Sequence, residues 1–210
     1  MFITATTNSG TAITTYIEAD NEIGSFNLYG AQLEAGNFAT SYIKTEGSSV
    51  TRVREICEQD SLSNLIGQTE GVIYYDYTAT FESPSTSFDF FPISVSDGTT
   101  SNFFFLNNYN QALTVGYKVS GSSIISNNSF TFNSGDRIKV AFAYKQNDFA
   151  VYINGTQILT LSSGSVAALS EVTLGNYYNN QASLQDDVKV NELRFYNTRL
   201  TNTELQNLTS

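Results

Sequence analysis

Two short stretches of the sequence combine tyrosine with asparagine, a pairing suited to sugar recognition. The first holds Asn107, Asn108, Tyr109 and Asn110, and the second holds Asn176, Tyr177, Tyr178, Asn179 and Asn180. An aromatic ring can cover the C–H face of a sugar, and the amides can hydrogen-bond its hydroxyl groups. Both stretches fall in predicted loops, where a ring has no core to fill. A glycan site is one interpretation, and a ring buried at a strand end with its hydroxyl in water is the other.

A second group of candidate ligands consists of aspartates in or beside predicted turns. They are Asp97, Asp136, Asp148, Asp186 and Asp187. Carboxylates with neighbouring amide and carbonyl oxygens are the hard donors that Ca²⁺ takes. Surface carboxylates are common in an acidic chain, so solvated side chains are the preferred interpretation. We expect no cofactor, and calcium is the alternative.

The composition gives little support to other kinds of site. Twenty acidic and 10 basic residues among 210 give a net charge of −10, and the pI is near 4.3. Nucleic acid is therefore not an expected partner, because a phosphate backbone needs a basic face. The chain has no histidine to activate its single cysteine, Cys57, which we expect to be a small buried residue. No apolar run is long enough to cross a bilayer.

The elements that must position these residues are predicted to be short antiparallel strands. In residues 149–161, FAVYINGTQILTL, alternation places Phe149, Val151 and Ile153 on one face, which we expect in the core with Phe142 and Phe195. The Asn-Gly pair at 154–155 is a strong hairpin signal, because a type I′ turn needs positive φ at both central residues. Further strands are predicted at residues 72–81, 87–94, 102–106, 112–119, 122–125 and 129–132. This rhythm is typical of an antiparallel sandwich.

The last part of the chain predicts a bulged strand and a helix. Apolar residues change phase within residues 188–196, so a single-residue bulge near Asn191-Glu192 would restore one apolar face. Thr201 and Glu204 form a capping box, which predicts one short helix after residue 200. Its leucines, Leu205 and Leu208, should pin it to the sandwich.

Residues 1–34 are predicted to form three more strands, at 2–7, 11–19 and 25–33. Three strands cannot easily bury both faces of a sheet. We therefore expect this segment to pack against the sandwich or another chain, with a homotrimer as one such assembly.

Two parts of the sequence resemble concanavalin A-like, laminin-G-type jelly rolls. Residues 137–155, RIKVAFAYKQNDFAVYING, are similar to the central hairpin of that fold, and VNELRFYNTRLTNTELQNL is similar to its closing strand and helix. The resemblance covers roughly residues 70 to 208. It implies an all-β antiparallel jelly-roll sandwich with one short C-terminal helix, here preceded by a short N-terminal β segment.

Residues 29–52, YGAQLEAGNFATSYIKTEGSSVTR, carry a second resemblance. They look like the linker between β-sandwiches in bacteriophage tail and fibre proteins, with Lys44 in place of the usual proline. Residues 56–71 resemble the start of the laminin-G-like domain in such proteins. The domains predicted are therefore residues 1–51, a β segment with its linker, and residues 52–210, the jelly roll.

Some concanavalin A-like domains are glycanases, whose carboxylates lie on one strand in a Glu-x-Asp-x-x-Glu signature. The present sequence lacks that signature, and Asp186, Asp187 and Glu192 are the nearest imitation. We interpret Glu192 as a partner of Arg194 or of the backbone. The isolated acids Asp76, Glu82 and Asp89 are interpreted as solvated. No enzyme is predicted.

These observations together predict a non-enzymatic module of a bacteriophage tail or fibre that binds glycan on the host surface. It would belong to the virion, next to other virion proteins, and act outside the cell after assembly in the host cytoplasm. Membrane insertion is not expected. A structural decoration or spacer domain is the first alternative, and a glycan-degrading enzyme is the second.

Overall fold

The fold is taken from a computed structural model that describes residues 42–44, 46–50, 57–79, 90–109, 112–175 and 188–210, with the side chains at 90, 109, 129 and 188 excepted. The chain divides into two units, Met1–Arg54 and Glu55–Ser210. The second unit holds every described strand and helix. The three strands expected within residues 1–34 lie outside the described residues. Within the described ranges, no helix combines the length and apolarity needed to cross a membrane.

The described residues of the second unit form eleven strands and one helix. They are β1 (Cys57–Gln59), β2 (Glu70–Ala79), β3 (Phe90–Ser96), β4 (Phe103–Tyr109), β5 (Ala112–Val119), β6 (Ser122–Thr131), β7 (Arg137–Lys145), β8 (Asp148–Ile153), β9 (Thr156–Leu161), β10 (Glu171–Leu174), β11 (Val188–Tyr196) and α1 (Asn202–Thr209). Sheet A has the order β1-β10-β3-β4-β5-β6, and sheet B has the order β11-β2-β7-β8-β9. All pairings are antiparallel. The two sheets form the jelly-roll sandwich that the sequence predicts.

Every second side chain of a strand points into the sandwich, and the inward-pointing side chains of both sheets form one core. Phe104 of sheet A stacks on Phe142 of sheet B, with ring centroids 4.8 Å apart. Phe149, Val151 and Ile153 are fully buried there, as predicted. Phe195 packs against the same core but is only partly buried, because β11 is an edge strand of its sheet.

The helix α1 covers the outward face of sheet B. Leu205 is fully buried, and it packs in a second cluster with Ala150 and Tyr152, which are buried as well. Strand β8 therefore has two buried faces rather than one. The predicted capping box is present, because the Thr201 side chain accepts from the Glu204 backbone N–H while the Glu204 carboxylate accepts from the Thr201 backbone N–H.

Two local predictions are confirmed. Asn154 and Gly155 have φ of 46° and 75°, the left-handed conformation that a type I′ hairpin turn needs. The register of β11 against β2 shifts between Val190 and Glu192, so Asn191 is the extra residue of a bulge.

Two expectations about single residues are wrong. Cys57 is exposed, because it lies on β1, a three-residue edge strand. Asp76 is 1% exposed rather than solvated. Its carboxylate accepts a bidentate pair of hydrogen bonds from Arg137, at 2.9 and 2.6 Å, and another from the Asn191 amide at 3.1 Å.

Candidate functional site

Strands β4 and β10, which carry the first tyrosine and asparagine stretch and precede the second, end at the same end of sheet A. Strands β4 and β10 both pair antiparallel with β3, which lies between them, so they run in the same direction. Both strands end beside the start of β3. Because β3 lies between them, β4 and β10 are two strand spacings apart, or about 10 Å. We call this end of sheet A the rim. It consists of the last residues of β4 (Asn107, Asn108 and Tyr109) and β10 (Leu174) and the first residues of β3 (Phe90) and β5 (Ala112).

Two core tyrosines of sheet B hold the rim from inside the sandwich. The Tyr75 hydroxyl donates to the Pro92 carbonyl at 3.0 Å, and the Tyr77 hydroxyl donates to Asn108 Oδ1 at 3.3 Å. The Gly175 N–H also donates to the Pro92 carbonyl, at 3.0 Å. These bonds fix the starts and ends of β3, β4 and β10 against one another. The rim is therefore a rigid base for whatever the connecting segments present.

The structure changes the assignment of the first stretch. Residues from Asn107 to Tyr109 belong to strand β4 rather than to a loop. Asn108 points into the core and is 1% exposed, so it cannot contact a ligand. Asn107, with the opposite parity, lies on the outward face, opposite Thr114 of β5. The Asn107 and Thr114 side chains are both half-buried.

The outward face of sheet A next to the rim combines an aromatic ring with polar side chains. Phe104 and Leu106 point into the core, so Phe105 and Asn107 point outward from the same strand. Phe105 is half-buried and lies two residues before Asn107. A ring, an amide and the Thr114 hydroxyl within this small area are the groups that contact the C–H face and the hydroxyls of a sugar.

Packing holds the Phe105 ring in place. Gly116 lies opposite it on β5, and a Cβ at that position would come within 2.1 Å of the ring. The ring therefore occupies space that only glycine leaves open. Phe103 stacks beside it with centroids 4.8 Å apart, and Phe91 lies at 5.7 Å. On the other side of Phe105, Ser94 of β3 is its paired residue, and Thr173 of β10 is paired with Ser94. Both Ser94 and Thr173 are buried.

Two charged residues of sheet A, Lys118 and Glu171, lie toward its other end. Lys118 pairs with Phe103, and its ammonium lies 5.3 Å from the centroid of that ring. Glu171 lies on β10 opposite Ser96. Burial raises the pKa of Glu171, and the like charges of Glu58, Asp60 and Asp97 raise it further.

The aspartates proposed as calcium ligands do not converge in the part of the chain that is described. Asp97 organises the β3–β4 turn: Oδ1 accepts from the Thr99 N–H and hydroxyl, and Oδ2 accepts from the Asn102 amide. Burial raises the pKa of Asp97, but these hydrogen bonds outweigh it and hold the pKa below the usual value. Asp136 accepts from the Asn133 N–H in another turn. Among the described residues, no three histidine, cysteine or acidic side chains are grouped to hold a metal ion. Asp186 and Asp187 lie outside them.

The acids considered for catalysis have structural partners where they are described. Glu192 pairs with Arg194 at 2.5 Å, as interpreted from the sequence. Asp76 is held by Arg137 and Asn191. Burial raises the pKa of Asp76, but these hydrogen bonds outweigh it and leave the pKa below its usual value. A carboxylate held ionised in this way is a poor general acid.

Most of the predicted sugar ligands remain predictions. The Tyr109 side chain, Asn110, Tyr177, Tyr178, Asn179 and Asn180 lie outside the described residues. Sequence reasoning missed Phe105 and Thr114. Two signals could have found them: the alternation of FFFLNN, which turns Phe105 and Asn107 to one face, and Gly116 inside a strand, which marks a close approach.

Comparison with known proteins establishes the fold. No family model matches the chain, and no curated protein matches it by sequence. Among solved structures, the CBM40 domain of the Ruminococcus gnavus IT-sialidase aligns with a TM-score of 0.56 and 18% identity, over 75% of this chain and 97% of that domain. The same domain has been solved bound to α2,3- and α2,6-sialyllactose. A SAP-like pentraxin from Limulus polyphemus aligns with a TM-score of 0.51 and 14% identity, over 70% of this chain and 72% of the pentraxin. At these identities the likeness concerns the fold alone.

Proposed function

We propose that this chain is a non-enzymatic, glycan-binding module of a bacteriophage tail or fibre, and that it binds its glycan at the rim of sheet A. One observation supports the proposal: strands β4 and β10, which carry the first tyrosine and asparagine stretch and precede the second, end at this rim, two strand spacings or about 10 Å apart. Phe105, Asn107 and Thr114 lie on the outward face next to it. That spacing suits one or two sugar rings.

The fold supports a binding role. A CBM40 domain of the same fold has been solved with sialyllactose, which is a glycan. Fold alone does not assign function, so the proposal depends on the residues at the rim. In the proposed role, Tyr177 or Tyr178 stacks on a sugar. Asn179 or Asn180 would hydrogen-bond its hydroxyls.

The bacteriophage assignment rests on the resemblance of residues 29–52 to the linker of tail and fibre proteins. In this role the chain is part of the virion, contacts other virion proteins and meets the host surface from outside. Binding at each site is weak, and several copies on one particle supply the avidity.

The absence of catalysis belongs to the same proposal. Retaining glycoside hydrolysis needs two carboxylates about 5 Å apart, one of them kept protonated. Asp76 and Glu192 are instead each paired with an arginine. Purified protein should release no reducing sugar from host polysaccharide, and sustained release would replace the binding role with an enzymatic one.

Retention of single variants on immobilised host polysaccharide tests the site. We expect Tyr109→Ala, Tyr177→Ala or Tyr178→Ala to weaken retention roughly tenfold or more at the position that stacks. Thr114→Val, which removes only a hydroxyl, should weaken it less. Thr160→Val is the matched control, because Thr160 is an exposed threonine on strand β9 of the other sheet. If every rim variant folds and binds like the unchanged protein, or if nothing binds, a structural spacer role takes the place of glycan binding.

A further inference from the structure

The hairpin turn between β8 and β9 carries the single Asn-Gly pair of the sequence, Asn154-Gly155. Asparagine is a thermolabile residue, because its side-chain amide can be lost as ammonia. The loss is fastest before glycine, since glycine has no side chain to hinder attack by its own backbone nitrogen. The sequence by itself therefore marks Asn154 as the asparagine most prone to deamidation.

Deamidation at this turn proceeds in two steps. The Gly155 backbone nitrogen loses its proton and bonds to Asn154 Cγ, while the Cγ–Nδ2 bond breaks and ammonia leaves, so that a succinimide ring forms. Water then opens the ring at either carbonyl and leaves aspartate or isoaspartate at position 154. The whole change consumes water and releases ammonia, without oxidation. It requires a side chain that can rotate onto the next peptide and a backbone nitrogen that can lose its proton.

Strand β7 holds the Asn154 side chain by both atoms of its amide. Oδ1 accepts from the Lys139 N–H at 2.8 Å, and Nδ2 donates to the Arg137 carbonyl at 3.1 Å. The Asn154 N–H also donates to the Lys139 carbonyl, at 3.0 Å. The side chain therefore extends the ladder between β7 and β8 where the backbone has already turned away. Rotation of Cγ toward the Gly155 nitrogen would break both side-chain hydrogen bonds.

The end of helix α1 holds the other reacting atom. The Gly155 N–H donates to Thr209 Oγ1 at 3.1 Å, and the Thr209 hydroxyl donates in turn to the Leu205 carbonyl at 2.9 Å. Thr209 is buried. The Lys139 ammonium donates to the Ser210 carbonyl, which joins the same end of the helix to β7. The Gly155 proton is therefore held by a buried acceptor of the helix.

We infer that Asn154 is a latent deamidation site, and that β7 and the end of helix α1 together keep it unreactive in the folded chain. Asn154 is exposed, so burial of its side chain does not supply the protection. The three hydrogen bonds on the reacting groups supply it, because all of them must break before the ring can form. Together they should slow the reaction roughly 100-fold relative to the unfolded chain. The protection is independent of glycan binding.

The products of the reaction would loosen the same turn. An aspartate at position 154 has no N–H to donate to the Arg137 carbonyl and places a carboxylate against that oxygen. Isoaspartate also adds a carbon to the backbone of a turn whose central residues have φ of 46° and 75°. Deamidation should therefore weaken the contact that holds the end of α1 on sheet B.

Peptide mapping of the full chain by mass spectrometry measures the reaction. The chain is incubated at one temperature and one slightly alkaline pH, folded in buffer and unfolded in guanidinium chloride. We expect Asn154 to deamidate roughly 100-fold more slowly in the folded chain. Rates that agree within about threefold would overturn the inference, since three intact hydrogen bonds cannot have so small an effect.

Substitutions at Thr209 test the part played by the helix. Thr209→Val removes the acceptor at similar volume and should raise the folded rate about tenfold, whereas Thr209→Ser keeps the hydroxyl and should leave the rate slow. Thr203→Val is the matched control, because Thr203 is an exposed threonine in the first turn of the same helix. In guanidinium chloride all the variants should react at the rate of the unchanged protein.

A folded Thr209→Val protein that deamidates at the unchanged rate would overturn the role of the helix. If that variant does not fold, hydrogen exchange of the Gly155 amide in the unchanged protein decides the question. A strongly protected amide supports the inference, and an amide that exchanges as fast as in the unfolded chain overturns it.

Discussion

Asp76 shows how far a local environment can override what a residue type suggests. Asp76 lies on the outward face of sheet B, yet its side chain is only 2% exposed. The side chains of Arg137 and Asn191 hydrogen-bond to it and cover it. Arg137 itself keeps 60% of its side chain surface exposed. The pair therefore combines a buried acceptor with a solvated donor, an arrangement that spares the arginine most of the desolvation that penalises fully buried pairs.

Asp76→Asn should destabilise the protein by about 1–3 kcal/mol at neutral pH, because it removes the charge from a buried network of hydrogen bonds. The pKa of Asp76 is depressed in the folded state, so its contribution is present above the unfolded pKa and is lost as the pH falls through the folded pKa. Chemical denaturation at pH 7 and near pH 3 measures this. The gap between the two proteins should be large at pH 7 and shrink in acid, and a gap independent of pH would contradict the assignment.

Glu171 should behave in the opposite way. Burial and three neighbouring acids raise its pKa, so the fold favours the protonated side chain and loses stability as the pH rises through the folded pKa. Glu171→Gln should therefore raise the melting temperature slightly at pH 7, by about 2–4 °C for each 1 kcal/mol recovered. The gain should shrink as the pH falls and vanish near about pH 3, where the glutamate is protonated in both states. A variant that melts lower than the unchanged protein at pH 7 would show that the carboxylate makes a stabilising contact.

At the scale of elements, the sequence predicted what local periodicity and turn chemistry control. The hairpin of β8 and β9, the bulge at Asn191 and the helix beginning at Asn202 follow from alternation, an Asn-Gly pair and a capping box. The bounds are less accurate: β2 begins at Glu70 rather than residue 72, since pairing with Lys145 extends it. The strand β1 was not predicted, because three exposed residues, CEQ, carry no periodic signal.

What the sequence could not supply were relations between distant segments. That β4 and β10 end at one rim depends on β3 lying between them, which is a matter of sheet order. The burial of Ala150 and Tyr152 depends on a helix that comes about 50 residues later. In the same way, the partners of Asp76 are 61 and 115 residues away.

The central hairpin should be the most sensitive element to lost volume. Ile153 is fully buried at the end of β8, in the cluster that joins the two sheets. Ile153→Ala should therefore lower the free energy of unfolding by roughly 2–5 kcal/mol. Denaturant titration measures it, with Ile158→Ala as the control, because that residue of β9 is only partly buried. Equal losses at the two positions would show that Ile153 does not lie in the core as described.

At the scale of the whole sandwich, each of its four edge strands is poorly suited to pairing with another chain. The strand β1 has three residues, β6 has two register shifts, and β9 and β11 have one each. Bulges and very short strands interrupt the regular row of backbone donors and acceptors that a second chain would need. The jelly roll therefore presents faces and loops to partners rather than sheet edges.

Any stable self-association of the chain is then expected to involve residues 1–51. Their predicted strands carry strand-spaced apolar residues that three strands cannot bury by themselves. If the segment packs against another chain, light scattering should find an oligomer, for example a homotrimer, for residues 1–210 and a monomer for residues 55–210. A monomeric full chain would contradict the expectation of a homotrimer. An oligomeric 55–210 fragment would instead place the interface on the sandwich, and because its edges are interrupted, that interface would be the outward face of sheet A or sheet B.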